Sequence, residues 1–316
     1  MLIHLDTDIG GDMDDLCALA MCLRWPGAEI SAVTTVCDAG GRRAGYARYA
    51  LALEGRSQIP LAAGADVDCG RFRVVPTYPV EADYWPETVP PAPGPLDAAL
   101  ELLKTSIEQG AAVAALGPYT NLYLLEQKYP GILRRARLFL MGGFLTPARA
   151  GFPGWGNDMD WNIQQDAAAA EYVLTHSHPT LIPMTVSLET SLRRAYLPRL
   201  RAAGALGALI ARQAEAFARE YENETRLGQT CAGLPDDTIN FQHDPLACAV
   251  ALGWTEGMTT AEIGLILEWK DGWLHERGVE TGAPGSTPAR IVTRIDGDRL
   301  NRLWLDCLTG SLAAPV

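Results

Sequence analysis

Short apolar runs alternate along the chain with longer segments whose apolar positions recur at helical spacing. The runs at 2–6, 29–36, 59–63, 111–116, 137–141 and 180–184 read as strands. The segments 15–24, 42–54, 96–108, 121–128, 166–176, 204–223 and 245–252 read as helices. Further strands at 262–267 and 289–293 and a closing helix at 298–308 complete the pattern. Strands alternating with helices predict an α/β fold in which crossover helices join parallel strands. Two stretches lack periodicity. Residues 66–95 are rich in proline, glycine and aromatics, and 225–242 follow the long helix. In an open α/β sheet ligands gather at the carboxyl ends of the strands, so both stretches are expected to act as lids there.

The first strand ends in an unusual way. Asp6, Asp8, Asp12, Asp14 and Asp15 fall within ten residues, with Gly10 and Gly11 between them. Asp6 and Asp8 point the same way on an extended segment, and the glycines permit a sharp turn into the helix. Asp14 and Asp15 sit at the helix start, where the dipole favours negative charge. Adjacent helical positions diverge by about 100°, so one can bind a metal while the other faces a substrate. Five carboxylates this close repel one another in a low-dielectric pocket, which points to a hard cation. An all-oxygen, aspartate-rich set suits Ca²⁺ or Mg²⁺ rather than zinc. Ca²⁺ takes about six to eight oxygens, so further ligands must come from elsewhere. The turn Gly117-Pro118-Tyr119-Thr120-Asn121 offers a carbonyl, and His243-Asp244-Pro245 offers a carboxylate at a helix start, where a plain N-cap is the other reading.

Composition narrows the field. The 316 residues are 48% hydrophobic and 20% charged, enough for a large core, and one domain spanning 1–316 is expected. A formal charge of −12 disfavours nucleic acid or an anionic membrane as partner. Seven scattered cysteines without a CxxC pair read as free thiols of a reducing cytosol. With no signal-like leader and no long apolar run, the expected location is the cytoplasm.

Five motifs occur in order: DTDIGGDMDDLCAL from Asp6, GPYTNL from Gly117, MGG from Met141, DWN from Asp160 with Asp166 following, and HDPLA from His243. Together they resemble the inosine-uridine-preferring nucleoside hydrolase family and span nearly the whole chain. The resemblance implies a doubly wound, mainly parallel sheet with Ca²⁺ at its carboxyl edge. It implies that Asp8, Asp15, the Thr120 carbonyl and Asp244 hold that ion, with Asp14 and Asn162 on the ribose. By the same resemblance Met141, Asn157 and Asp160 would join the substrate site, with Trp161 expected beside them. The implied reaction is hydrolysis of the N-glycosidic bond of a nucleoside, with Asp8 as base toward a metal-bound water and His243 protonating the leaving base. The transition state would be oxocarbenium-like, as in glycoside hydrolysis. Homodimers or homotetramers are implied as well.

Departures from the family bear on the substrate. Where the family has Gly-Asn or Gly-Asp after the second strand, this chain has Cys37-Asp38-Ala39-Gly40. The sugar or base contact is thus lost or passed to Asp38. The spacing from Asn157 to Asn162 is shorter than in the family, and a deoxy, modified or 5′-substituted nucleoside fits such changes. Trp155, Trp161, Tyr84 and Trp85 are candidates to stack on a base, with core or lid packing as the alternative. Glu189 and Arg193-Arg194 read as solvated loop. Two other readings compete: a non-catalytic nucleoside- or sugar-binding protein, and a haloacid-dehalogenase-like phosphatase with Asp6 as nucleophile. The phosphatase leaves Asp14-Asp15 and DWN without a role.

Overall fold

The computed structural model describes residues 1–74 and 77–311. The strands, in chain order, are β1 (Leu2–Thr7), β2 (Glu29–Thr35), β3 (Leu61–Ala63), β4 (Ala112–Ala115), β5 (Arg137–Met141), β6 (Thr180–Ile182), β7 (Leu192–Arg193), β8 (Thr238–Asn240), β9 (Met258–Lys270), β10 (Trp273–Val279) and β11 (Thr287–Ile295). Among the described residues nine of them form one sheet, in the order β10-β9-β11-β6-β5-β4-β1-β2-β3. From β3 to β11 every neighbour is parallel; β9 and β10 add an antiparallel margin. The order 3-2-1-4-5-6 reverses between β1 and β4, the switch point where doubly wound folds bind ligands.

Strand alternation distributes the core over both sheet faces. On β4, Ala112 and Ala114 join one apolar cluster, while Val113 and Ala115 join the other. Helices α1 (Asp14–Arg24) and α2 (Arg42–Leu53) pack on the first face with helix Gly204–Tyr221 and the C-terminal helix Gly297–Leu308. Residues 16–22 of α1 are all buried, because helix His243–Ala251, helix Gly204–Tyr221 and the C-terminal helix all pack against it. There Trp304 Nε1 donates to the Cys17 carbonyl at 3.1 Å. Burying each such Leu or Met side chain is worth about 1.5–3 kcal/mol. Helices Leu96–Glu108, Thr120–Lys128 and Ala167–His176 line the other face.

The sequence pattern located the early strands and major helices to within two or three residues. It overlooked β10, whose Trp273–Val279 run carries His, Glu and Arg rather than clean alternation. A local signal was present. Asp271 (φ 51°) and Gly272 (φ 81°) are both left-handed, as a two-residue Asp-Gly hairpin turn requires. The segment 225–242 is not a simple loop, since it includes a π-turn at Glu224–Gly228 and strand β8, paired with β7. The segment 66–95 crosses the carboxyl edge, where the Arg73 amide donates to the Gln165 carbonyl at 2.9 Å. Tyr84 and Trp85 then sink into the core, Trp85 stacking on Tyr46 at 4.3 Å. These two rings are core packing rather than base platforms. All seven cysteines are free thiols; Cys17, Cys22, Cys37, Cys248 and Cys307 are buried. No described helix is long and apolar enough to cross a membrane.

Candidate active site

The ends of β1 and β4 meet at the switch point. The Leu116 amide donates to the Asp6 carbonyl at 2.7 Å, and a Cβ on Gly117 would lie 2.9 Å from Asp8 Oδ1. Only a glycine lets the turn after β4 approach the Asp8 carboxylate so closely. Asp6 itself faces inward: its Oδ1 accepts from Thr34 Oγ1 at 2.6 Å and Asn121 Nδ2 at 2.7 Å. Burial pushes the Asp6 carboxyl up to about 6. It braces the strand end beneath the site.

Asp14 and Asp15, which open α1, meet Asp244 at the start of helix His243–Ala251. One oxygen from each lies within 4.8 Å of the others, and all three residues are buried. The Asp244 amide donates to Asp14 Oδ2 at 3.3 Å, and Thr7 Oγ1 donates to Asp15. Burial pushes all three carboxyls well above the usual range, and their mutual repulsion, together with Asp8 and Asp12, adds to it. Asp8 is raised too, through burial, although Arg43 opposes the shift. Clustered, buried, oxygen-only donors with no lysine or arginine among the described residues paired to their carboxylates are the chemistry of a hard divalent cation site. The residues present fit such an ion.

Around this centre the other predicted residues fall as follows. Trp161, 45% exposed, donates from Nε1 to Asp8 Oδ2 at 3.3 Å. Asn162 Nδ2 donates to the carbonyls of Leu116 at 2.7 Å and Met141 at 3.0 Å, binding the ends of β4 and β5 to the DWN turn. Met141 is buried at the end of β5. Thr120, fully buried, opens its helix and donates from Oγ1 to Asp166 Oδ2 at 2.6 Å. Asp160 is occupied locally, since Oδ2 accepts from the Gly143 amide and Oδ1 from Ile163 N at 3.3 Å. Asn157 Nδ2 donates to the Leu274 carbonyl at 2.7 Å, while its buried Oδ1 meets no hydrogen-bond partner among the described residues. Asn157 thus leans on β10, and Asp160 on the turn after β5 and on its own helix start.

His243 is held by Ser187, with Nδ1 and Oγ 2.6 Å apart, and burial pulls its pKa down to about 4. Phe241 lies 5.3 Å from the His243 ring and Trp155 lies 5.4 Å from Phe241, forming an aromatic wall on that side.

A model of one family matches residues 3–302: the inosine-uridine preferring nucleoside hydrolases. The chain belongs to that family. Its fold is similar to that of a purine-preferring ribonucleoside hydrolase from Gardnerella vaginalis, at TM-score 0.78 and 20% identity over 98% of both chains. It is also similar to a plant nucleoside hydrolase, at TM-score 0.76 and 18% identity over 98% of both chains. An uncharacterized protein of Schizosaccharomyces pombe is 28% identical over 215 residues, which span 61% of this chain and 65% of that protein. The family match removes the phosphatase reading.

Within this nucleoside hydrolase fold the family's sugar-contact position does not pass to Asp38. Asp38 is 2% exposed, and its oxygens accept from Thr35 Oγ1 at 2.7 Å and from the amides of Arg43 at 2.7 Å and Ala44 at 3.0 Å. It caps α2 and turns away from the cleft, because the helix start offers free amides that a carboxylate satisfies best. Glu189 is not solvated either: its buried carboxylate forms a two-pronged pair with Arg149. Sequence reasoning also missed Ser187 and Arg43. A signal for Arg43 existed, because two arginines at a helix N-terminus oppose the dipole and need another reason to be there.

Proposed function

We propose that this protein hydrolyses the N-glycosidic bond of a nucleoside to free base and ribose, with Ca²⁺ held by Asp8, Asp15, Asp244 and the Thr120 carbonyl. The observation that carries the reading is the buried convergence of Asp14, Asp15 and Asp244 next to Asp8 at the switch point. When bound, the ion supplies Lewis-acid activation and a grip on the ribose diol.

The chain's own residues divide the remaining work. Asp8 takes the proton from the attacking water, and the Trp161 indole holds its second oxygen in place. Asp14 and Asn162 accept from ribose hydroxyls. The carboxylates beneath the sugar favour the positive charge that develops at C1′. Met141 lines the sugar pocket, while Asp160 and Asn157 act behind it by fixing the backbone at Gly143, Ile163 and Leu274. His243 faces the departing base; burial disfavours its charged form in the free protein, so the ring stabilises the base as a hydrogen-bond donor and the base takes its proton from water. A cytoplasmic location belongs to the same reading and is supported by the free thiols; a homodimer or homotetramer is carried by the family resemblance alone.

The test is incubation of the protein and an Asp8→Ala variant with purine and pyrimidine nucleosides and their 5′-monophosphates, followed by assay of base, ribose and phosphate. Base and ribose release that vanishes in the variant is the expected result. Binding without turnover would favour a nucleoside-binding protein, and phosphate release alone would overturn both.

A further inference from the structure

The buried guanidinium of Arg43 reaches the backbone of the acidic loop. Arg43 is 2% exposed. Its Nε donates to the Cys37 carbonyl at 3.0 Å, and its Nη1 donates to the carbonyls of Asp8 and, at 3.1 Å, Ile9. One side chain thereby ties the loop after β1 to the bend after β2. That bend is itself forced, since Cys37 adopts φ 52°, a conformation a non-glycine residue holds only when its surroundings impose it. One turn further along α2, Tyr46 presses on the same loop: a Cβ on Gly10 would collide with its ring. Trp85 backs that ring from the 66–95 segment, and the Tyr78 ring lies 4.9 Å from the guanidinium. Asp38 fixes the start of α2 through the Arg43 amide.

We infer that Arg43 is a positioning residue for the cation site: it grips the backbone of Asp8 and Ile9 so that the Asp8 carboxylate is presented to the ion together with Asp15 and Asp244. The inference rests on the cation reading above. It places α2, where the family's sugar-contact position has become the helix cap Asp38, in charge of the loop that carries the metal ligand.

Electrostatics alone predicts the opposite outcome for its removal. A positive charge beside a cation site repels the ion, so deleting that charge should tighten Ca²⁺ binding. A clamp predicts weaker binding, because outer partners that orient metal ligands are typically worth about 10- to 100-fold in metal affinity. The two effects have different signs and can be separated.

Ca²⁺ titration by calorimetry on wild type, Arg43→Met and Arg43→Lys decides between them, with melting temperature and the kcat and KM for a nucleoside measured alongside. The expected result is Ca²⁺ affinity at least tenfold weaker in both variants and a fall in kcat larger than any change in KM. Free guanidinium should restore part of the affinity in Arg43→Ala. Arg43→Gln, which keeps a donor without charge, serves if Arg43→Met does not fold. Equal or tighter Ca²⁺ binding in folded Arg43→Met overturns the clamp. Wild-type protein that binds no Ca²⁺ overturns the cation reading instead, so the two failures are distinguishable.

Discussion

Replacing Asp15 by Asn should raise the stability of the metal-free protein while abolishing its response to Ca²⁺. The three oxygens of Asp14, Asp15 and Asp244 lie within 4.8 Å of one another. At an effective dielectric of about 20, each ionised pair at that separation costs at least about 3.5 kcal/mol, or about 10 kcal/mol for three pairs. That is comparable to the whole stability of a typical domain, about 5–15 kcal/mol. The cluster therefore cannot be triply ionised without a cation and must hold protons in its absence. Ca²⁺ binding should release protons, visible as a dependence of calorimetric heat on the ionisation enthalpy of the buffer at pH 7. At a free concentration about 100 times its dissociation constant, the ion adds about 2.7 kcal/mol. With an unfolding entropy of about 2.1 cal/mol/K per residue over the 316 residues, that raises Tm by about 4 °C. Differential scanning calorimetry with chelator and with Ca²⁺ measures it. An unchanged wild-type Tm together with no proton release would refute the cation site, as would a full Ca²⁺ response in Asp15→Asn.

Three further outcomes are expected. His4 is buried between Ser106 Oγ and Thr34 Oγ1, each at 2.9 Å, and burial lowers its pKa from 6.5 to about 3. The unfolded chain takes up a proton below pH 6.5 that the native state refuses, so stability falls from there towards pH 3 by about 5 kcal/mol; denaturant titrations of His4→Gln should lack that slope. Glu276 has the opposite sign: burial and neighbouring Asp160 raise it to about 8, so stability falls as pH rises from 4.5 to 8, by about 5 kcal/mol. Glu276→Gln keeps the acceptor for the Phe144 amide and should flatten that limb, and an unchanged slope would count against the buried acid pair. Trp161→Phe removes the donor to Asp8 and should lower kcat/KM by about 2- to 10-fold with little change in Tm, a rate effect that steady-state kinetics resolves.

Much of the fold was legible because parallel strands buried on both faces are largely apolar runs, as in β4 and in β5 after Arg137. The hairpin β9–β10 was harder to read, since its half-exposed strands carry charges on the open face and the Asp271-Gly272 turn is the clearest clue. Asp8, Asp14, Asp15 and Asp244 were legible from residue type and motif order, and the structure gathers the last three of them. Contacts that depend on where a side chain turns were not legible. Asp38 stands at the family's contact position yet caps α2, and Asp160 stands in the DWN motif yet spends both oxygens on nearby amides. Arg43 reaches three carbonyls from the first turn of a helix whose apolar face gives no hint of them. Such roles are set by tertiary geometry that spacing along the chain does not encode.

The most direct test of the central claim is turnover of a purine and a pyrimidine ribonucleoside in ¹⁸O-labelled water, before and after chelation, with mass analysis of the sugar. Free base and ribose are expected, with ¹⁸O at C1 above the exchange seen in unlabelled ribose incubated alone, loss of both products on chelation, and recovery with Ca²⁺. Bound nucleoside that stays intact, or base release that ignores chelator and the Asp8→Ala substitution alike, would contradict it.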